Sequence, residues 1–339
     1  MDERYDVVVV GGGAAGLSGA LALGRARRSV LVVDGGQPRN APADAMHNYL
    51  GRDGTPPGEL LAAGRAEVAG YGGQVVTGEA VSARAEDGGF VVRLAGGRQV
   101  RSRRLLVTTG LVDELPDLPG LRERWGADVL HCPYCHGWEV RDRAVGVLST
   151  GPAGVLKALL WRQWTADLTL FLHTGPEPTA EEEEQLAARG IAVVTGEVTA
   201  VESSGDRLTG IRLASGRVVA RDALVVSPVF TARSAVLASL GLAAADVAMP
   251  DGHVVGRAVP AGPSGASAVP GVWLAGNVTD LMSQVVTAAA AGLQAGAAIN
   301  ADLLSEDLRR AVQERRAPFS PSAERELCET VLGDRRHGI

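Results

Sequence analysis

Lysine and long apolar runs are scarce in this chain. Lys157 is the only lysine among 339 residues. No apolar run approaches the roughly 20 residues that a helix needs to cross a bilayer, so we expect no membrane-spanning segment. The formal net charge of −6 gives no general attraction to nucleic acid or to an anionic membrane surface, so we expect neither as a partner.

A signal peptide is also missing from the start of the sequence. Met1 to Tyr5 carries acidic residues and leads directly into an apolar run, where an exported protein has a basic segment and an apolar core. We therefore expect a cytoplasmic protein. Its few cysteines, Cys132, Cys135 and Cys328, cannot form a disulfide framework there, and the C-x-x-C spacing of the first two indicates redox or metal chemistry instead.

Glycine is abundant, and near the N-terminus its spacing forms a motif. The apolar run Asp6 to Val10 is followed by Gly11-Gly12-Gly13-Ala14-Ala15-Gly16, an Ala/Leu-rich helical stretch to about Gly24, and a second apolar run, Ser29 to Val33, that ends in Asp34. This order of strand, glycine turn, helix, strand and acid is typical of a dinucleotide-binding βαβ unit.

The residues of this motif have separate expected roles. Gly11 permits the tight turn, Gly13 lets the backbone approach a pyrophosphate, and Gly16 lets the helix pack against the strand. The N-terminus of the helix faces the phosphate charge. Asp34 is placed to accept a hydrogen bond from a ribose hydroxyl.

The rest of the chain predicts an α/β fold. Short alternating runs from Gln74 to Val107 predict a β-meander, and a second strand–turn–helix–strand unit begins at Ala144. A buried strand, Val272 to Leu274, then precedes a glycine and an Ala-rich helix from Gln284 to Asn300. This split order predicts two doubly wound, Rossmann-like nucleotide-binding domains, the second inserted into the first. The expected boundaries are 1–114 with 246–339, and 115–245. The polar helical tail after Ala301 is assigned no chemistry.

The chemical centre of the sequence is His131-Cys132-Pro133-Tyr134-Cys135-His136. C-x-x-C-H is also a c-type haem attachment signature, but haem attachment requires export, for which the sequence has no signal. C-P-Y-C is also the glutaredoxin motif, which follows the first strand of a small thioredoxin-like fold rather than lying between two nucleotide-type domains. A structural zinc site needs four ligands, and no second Cys/His cluster exists, so we expect no metal. A redox-active dithiol remains, with a buried inert pair as the structural alternative. The N-terminus of a helix stabilises a thiolate at such a position.

These motifs together resemble the thioredoxin reductase family. The resemblance extends over approximately residues 1–300 and includes the glycine turn, Asp34, Thr108-Thr109-Gly110, the C-x-x-C at the entry to the inserted domain, and Gly276-Asn277-Val278-Thr279-Asp280 with Gln284. It implies FAD as cofactor in the discontinuous domain, an NAD(P)H-binding-like inserted domain, and a homodimer. By resemblance the FAD-binding residues are Gly11, Gly13, Ala14, Ala15, Gly16, Asp34, Gly35, Asn48, Val76, Thr109, Gly110, Gly276, Asn277, Gln284 and Val285. Asn48 and the Gln284-Val285 helix start would contact the flavin ring.

The departures from the family pattern concern the pyridine nucleotide. Family reductases have a second Gly-x-Gly-x-x-Ala turn and a His-Arg-Arg cluster that binds the 2′-phosphate of NADPH. Here the turn is Ser149-Thr150-Gly151-Pro152-Ala153-Gly154, and the cluster is Leu172-His173-Thr174 followed by the acidic run Glu181 to Glu184. Ser149 adds a side chain at the tightest position, and Pro152 has no N–H for a phosphate. A pocket with no arginine and a nearby acidic run would repel a phosphate rather than hold it, although NADPH bound through other residues stays an alternative.

The residue after the second cysteine indicates a branch of the family. Ordinary thioredoxin reductases have an acid where this chain has His136. The string Cys132-Pro133-Tyr134-Cys135-His136-Gly137-Trp138-Glu139 resembles the dithiol oxidases of holomycin and gliotoxin biosynthesis, which close a disulfide in a small natural product and pass electrons to oxygen. Oxidation needs a base that makes substrate thiolates, and histidine suits that role near neutral pH.

The sequence therefore favours an FAD-dependent dithiol oxidase with Cys132, Cys135 and His136 as catalytic residues. Its expected substrate is a small-molecule dithiol. The electrons would pass through FAD to oxygen, with peroxide as product. By resemblance, Cys135 is the sulfur nearer the flavin and Cys132 the one that meets substrate. An NADPH- or ferredoxin-dependent reductase of thioredoxin or of a small disulfide is the alternative enzyme. A non-catalytic flavin redox sensor is the alternative from another class.

Overall fold

The structure is a computed structural model, and it describes residues 4–250, 252–316 and 321–332. The strands are β1 Arg4–Val10, β2 Val30–Asp34, β3 Gln74–Thr77, β4 Ala80–Glu86, β5 Gly89–Leu94, β6 Gln99–Val107, β7 Leu111–Glu114, β8 Val129–Leu130, β9 Val145–Leu148, β10 Leu168–Phe171, β11 Ala192–Val194, β12 Val198–Ser204, β13 Arg207–Leu213, β14 Val218–Val219, β15 Ala223–Val225, β16 Val229–Ala232, β17 Ala245–Ala248, β18 Val254–Ala258 and β19 Val272–Leu274. The helices are α1 Ala14–Arg25, α2 Pro57–Gly70, α3 Pro133–His136, α4 Gly154–Trp161, α5 Ala180–Ala188, α6 Ala235–Ala238, α7 Val285–Arg316 and α8 Pro321–Leu332. None of these helices, over the residues described, has the length and apolar character to cross a bilayer.

The first sheet contains the N-terminal nucleotide motif. Its strand order is β3-β2-β1-β6-β5-β4, with β19 paired to β6. Residues 7–10 of β1 pair in parallel with residues 30–33 of β2, and α1 connects the two strands. Consecutive residues of β1 belong to the cores on opposite faces of the sheet, which explains its continuous apolar run. The predicted strand–helix–strand unit is confirmed.

The expected meander is correct only for its later strands. β4, β5 and β6 pair antiparallel, but β3 pairs in parallel with β2 and extends the nucleotide-binding sheet. Val75 packs into the core on one face of the sheet and Val76 into the core on the other. A short apolar pair covered on both sides therefore belongs to the parallel edge and not to the meander.

The second sheet is parallel throughout, in the order β11-β10-β9-β15-β8. Its two faces have their own cores, one of them around Trp161 and Leu170 and the other around Phe171 and Leu224. The predicted second unit, which begins at Ala144, is confirmed as β9, α4 and β10. The order reverses between β9 and β15, which is the switch point where doubly wound sheets bind ligands.

The chain passes twice between the first and the second sheet. β7 leads away from the first sheet and pairs antiparallel with the returning β16, in a four-stranded sheet that includes β17 and β18. After β16, Val236 and Leu237 of α6 pack into the first core, although they precede the expected return at residue 246. The division of the chain into domains at 114, 115, 245 and 246 stays a prediction.

The long helix α7 extends further than predicted and is fixed to the first sheet. It continues through the polar segment after Ala301 to Arg316. Arg103 and Arg104 at the middle of β6 pair with its acids: Arg103 Nη2 lies 2.7 Å from Glu306 Oε1, and Arg104 Nε lies 2.5 Å from Asp302 Oδ2. The first part of the polar helical tail after Ala301 is therefore held against the sheet by partly buried ion pairs.

Candidate active site

The glycine turn after β1 forms a cradle open to a large cleft. A Cβ on Gly16 would lie 1.9 Å from the Gly11 carbonyl oxygen, so α1 packs against the turn as closely as glycine allows. A Cβ on Gly12 would lie 2.5 Å from Asp34 Cγ, whereas a Cβ on Gly13 would meet nothing within 4 Å. No side chain caps the N-terminus of α1. Its first N–H groups are thus available to a pyrophosphate, and the turn fits a dinucleotide.

The cleft has a volume of about 1580 Å³. Small-ligand pockets have roughly 300–1,000 Å³, so there is room for a dinucleotide and a second small molecule. The cleft is lined by the three expected catalytic residues, Cys132, Cys135 and His136. It is also lined by most of the residues expected to bind the cofactor, namely Gly11, Gly13, Ala14, Ala15, Asp34, Gly35, Thr109, Gly110, Gly276, Asn277, Gln284 and Val285.

Three expected cofactor residues do not line the cleft. Gly16 lies beneath the turn, and Val76 packs into the core of the first sheet. Asn48, which was expected to contact the flavin ring, donates from Nδ2 to the Tyr134 carbonyl oxygen at 2.6 Å. Its backbone N–H donates to Asp53 Oδ1, and its φ is +63°. Asn48 therefore holds the cysteine segment.

Asn277 stands where the family has an acid, and its amide has a structural use. Nδ2 donates to the carbonyl oxygens of Asp280 at 3.0 Å and Ser283 at 3.0 Å. An aspartate could not make these bonds because its carboxylate has no donor. The amide thus shapes the loop that leads into α7, and Asn277 lines the cleft.

The cysteine pair lies at the start of the short helix α3. Cys132 is the N-cap and Pro133 the first helical residue, where its missing N–H costs no hydrogen bond. Both thiols are free and half-buried. A hydrogen bond from the Cys135 thiol, helped by the backbone N–H groups of Cys135 and Tyr134, lowers the pKa of Cys132 to about 7. Donating that bond raises the pKa of Cys135, so Cys132 is the more acidic sulfur of the reduced pair and carries the thiolate when one forms.

The His136 imidazole follows the cysteines and faces the same cleft. Both ring nitrogens are buried and have no hydrogen-bond partner among the described residues. Burial holds the pKa of His136 below its usual range, against the charge of Glu139, which raises it. The ring is therefore neutral at pH 7, and both of its nitrogens lie buried beside the cleft, unpaired in the described part of the chain.

Long-range contacts around the cysteines were not predicted from the sequence. His47 Nε2 lies 3.4 Å from Glu139 Oε1, and its Nδ1 lies 3.4 Å from Asp53 Oδ2. Arg39 forms two hydrogen bonds to Asp113 and adds to the lowering of the Cys132 pKa. No motif connects these segments, so only their contact in the fold identifies them. No cluster of His, Cys, Asp or Glu in the described ranges is arranged to hold a metal ion.

The glycine turn after β9 is more filled by side chains than the turn after β1, although Ala153 at its end still lines the cleft. Ser149 is 3% exposed, and its hydroxyl would lie 2.1 Å from a Cβ on Gly154 and 2.0 Å from a Cβ on Gly175. From the other side, the His253 ring would lie 3.1 Å from a Cβ on Gly151. Nearby, His173 Nδ1 accepts the Val198 N–H at 3.0 Å and is thus occupied within the fold. Ser149 therefore fills the inner side of the turn, and the His253 ring lies against Gly151.

Known proteins are similar to this chain over most of its length. Residues 5–292 match the family model described as pyridine nucleotide-disulphide oxidoreductase. The thioredoxin reductase tcpT of Claviceps purpurea (strain 20.1) is 31% identical over 321 residues, which are 89% of this chain and 95% of that protein. The crystal structure of HlmI has a TM-score of 0.83 at 46% identity, over 91% of this chain and 96% of its own. An oxidoreductase from Agrobacterium tumefaciens has a TM-score of 0.82 at 36% identity, over 89% and 99%.

These matches confirm the resemblance to thioredoxin reductases, the fold class and FAD as cofactor. The geometry of the cradle agrees with that cofactor, and the cysteine pair opens into the same cleft. The chain belongs to the pyridine nucleotide-disulphide oxidoreductase family, and it is an FAD-binding thiol–disulfide oxidoreductase with a thioredoxin reductase-like fold.

Proposed function

We propose that this protein is an FAD-dependent dithiol oxidase, which converts a small-molecule dithiol to a disulfide through Cys132 and Cys135 and passes the electrons to oxygen. The observation that carries the proposal is the contrast between the two glycine turns. The turn after β1 opens into the cleft that holds the cysteines, whereas the turn after β9 is filled by Ser149 and covered by His253. This contrast favours a dithiol over NADPH as the electron donor.

Disulfide exchange with the oxidised cysteine pair needs no further reactant. One substrate thiolate attacks the Cys132 sulfur, the bond between Cys132 and Cys135 breaks, and Cys135 leaves with the bonding electrons. The second substrate sulfur, after losing its proton, attacks the substrate sulfur that is attached to Cys132. This step closes the product disulfide and releases Cys132. The two substrate protons pass to the cysteine pair, so one dithiol is oxidised as one disulfide is reduced.

His136 is the base that we propose for the substrate thiols. A base must be unprotonated to act, and the lowered pKa of the buried imidazole keeps it so at neutral pH. The pKa of about 7 at Cys132, caused first by the hydrogen bond from Cys135, makes Cys132 a good leaving group in the step that closes the product. His136 therefore acts when the substrate thiols lose their protons, and Cys132 acts as the leaving group when the product disulfide closes.

The residues proposed to hold the cofactor are the turn from Gly11 to Gly16, Asp34, and the loop that contains Asn277. Bound FAD supplies the two-electron acceptor for the reduced cysteine pair and the route from there to oxygen, with hydrogen peroxide as product. The expected homodimer and cytoplasmic location belong to this proposal as predictions.

A reductase that acts on thioredoxin or a small disulfide is the second candidate. It is favoured by the name of the relative tcpT, a thioredoxin reductase similar over 95% of its length. It requires an electron donor other than the dithiol, which separates the two candidates experimentally.

Oxygen consumption with dithiothreitol and no pyridine nucleotide tests the proposal. We expect turnover that yields one peroxide for each disulfide formed, and its loss in Cys132→Ser and Cys135→Ser. The matched control is Cys328→Ser, because Cys328 is an exposed free thiol on α8. Oxidation that requires NADPH, or that persists without Cys132 and Cys135, would refute the proposed route.

A further inference from the structure

Lys157, the only lysine of the chain, is a half-buried cation that the exchange chemistry does not use. It projects from α4 and lines the same cleft as Cys132. Its Nζ donates to Ser227 Oγ and, at 3.3 Å, to the Val226 carbonyl oxygen. No carboxylate pairs with it in the part of the chain that the structure describes, and burial is the only cause that lowers its pKa, to about 8.

The amine lies on the cysteine side of the cleft. β8 leads directly into His131 and Cys132, and its neighbour β15 leads into Val226 and Ser227 at the same edge of the sheet. The Val226 carbonyl oxygen that accepts from Lys157 also lies 3.3 Å from His131 Nδ1, which donates to it. Lys157 is therefore joined through one shared acceptor to the residue that precedes the substrate-facing cysteine.

The surrounding groups leave the charge of Lys157 uncompensated. His131 is neutral, because burial and then the charge of Lys157 lower its pKa to about 4. Arg39 and Asp113 form a pair of their own. Leu156 and Leu160 of the same helix add apolar lining to the cleft. A buried ammonium without a counter-ion is costly, and an anion that enters the cleft would relieve that cost.

We propose that Lys157 and Ser227 form an anion subsite that binds a carboxylate of the substrate dithiol and thereby positions its sulfurs at Cys132. The ammonium has three donors, of which Ser227 and Val226 take two, so one N–H is left for the ligand. The proposal rests on the proposed function and narrows its substrate class to small dithiols that carry a carboxylate.

Dihydrolipoate and dihydrolipoamide test this subsite, because they share the dithiol and differ in a carboxylate against an amide. The measurement is the anaerobic reduction of the bound flavin in the holoprotein, and the quantity compared is the rate constant divided by Kd. This ratio should be at least about tenfold higher for dihydrolipoate than for dihydrolipoamide, because one charge-assisted hydrogen bond supplies a factor of that size. Lys157→Met should abolish the preference by slowing dihydrolipoate alone, and Lys157→Arg should restore part of it. Arg141→Met is the matched control, because Arg141 is an exposed cation stacked on Trp138.

A second measurement needs no variant. Octanoate should inhibit the reduction of the holoprotein by dihydrolipoate competitively, and octanamide should inhibit it at least tenfold less. Equal rates with the two dithiols, or equal inhibition by the two octanoyl compounds, would overturn the subsite and leave the oxidase proposal intact. If neither dithiol reduces the flavin, the proposed function fails and the subsite fails with it.

Discussion

The Asn48 amide donates to the carbonyl oxygen of Tyr134, the residue between Pro133 and Cys135, at 2.6 Å. The bond joins the loop before α2 to the helix that carries the cysteines. The same loop contacts Glu139 through His47. The cysteine segment is thus held at the FAD-binding cleft by a loop that lies 86 residues earlier in the sequence.

Removing the Asn48 amide should loosen the cysteine segment. Asn48→Gly keeps the backbone at positive φ but loses the bond to Tyr134, so reduction of the flavin by a dithiol should slow by roughly two- to tenfold, the range of one neutral hydrogen bond. Stopped-flow flavin absorbance measures the rate, and FAD content serves as the control. An unchanged rate would mean that the cysteines are held without this bond.

The purified protein should be yellow and should release FAD rather than FMN on denaturation. Gly12→Val should abolish binding, because the new side chain would meet the Asp34 carboxylate, 2.5 Å from the Cβ position. Gly70→Ala is the control, since a Cβ there meets nothing within 4 Å. Chromatography of the released flavin makes the comparison. FMN in the wild type, or full FAD in the Gly12 variant, would contradict the assigned cradle.

The reduced pair should show one acidic thiol. In a Cys328→Ser background, alkylation by iodoacetamide should rise with a midpoint near pH 7 and label Cys132, because the Cys135 thiol stabilises the Cys132 thiolate. Below that pH Cys132 is protonated and the reaction slows. Peptide mass spectrometry across pH identifies the labelled cysteine. Preferential labelling of Cys135 would reverse the assigned roles of the two sulfurs.

His136→Ala should slow the reduction of the flavin by dithiols at neutral pH, at least at the lower end of the roughly 10²- to 10⁴-fold that a positioned base contributes. FAD content should not change. The deficit should shrink as pH approaches about 8.5, where solvent supplies the thiolate of an ordinary thiol. A pH series of single-turnover rates separates this role from a structural one. A mutant with a normal rate at neutral pH would show that the base lies elsewhere.

Most of the fold could be predicted from local sequence patterns. The turn from Gly11 to Gly16, Asp34 and the C-x-x-C pair could be predicted because strand, turn and helix signals lie within a few tens of residues of one another. β3 was misassigned because only tertiary packing shows that both of its faces are covered. The same limit applies to the candidate site.

The unpredicted parts of the site depend on contacts between distant segments. Lys157 and Ser227 are 70 residues apart, and Asn48 and Tyr134 are 86 apart. Sequence spacing carries no signal for such pairs. The closure of the turn after β9 was expected from Ser149 and Pro152, but its cover by His253 comes from a hairpin of another sheet.

In the proposed oxidase, electrons enter from a dithiol and not from a pyridine nucleotide. The most direct test mixes the anaerobic holoprotein with equal concentrations of dithiothreitol, NADPH or NADH and follows the flavin absorbance. We expect stoichiometric bleaching by dithiothreitol and far slower bleaching by either nucleotide, because Ser149 and His253 pack into the turn that would hold the phosphates. Rapid stoichiometric bleaching by NADPH would contradict the account and identify the protein as a reductase.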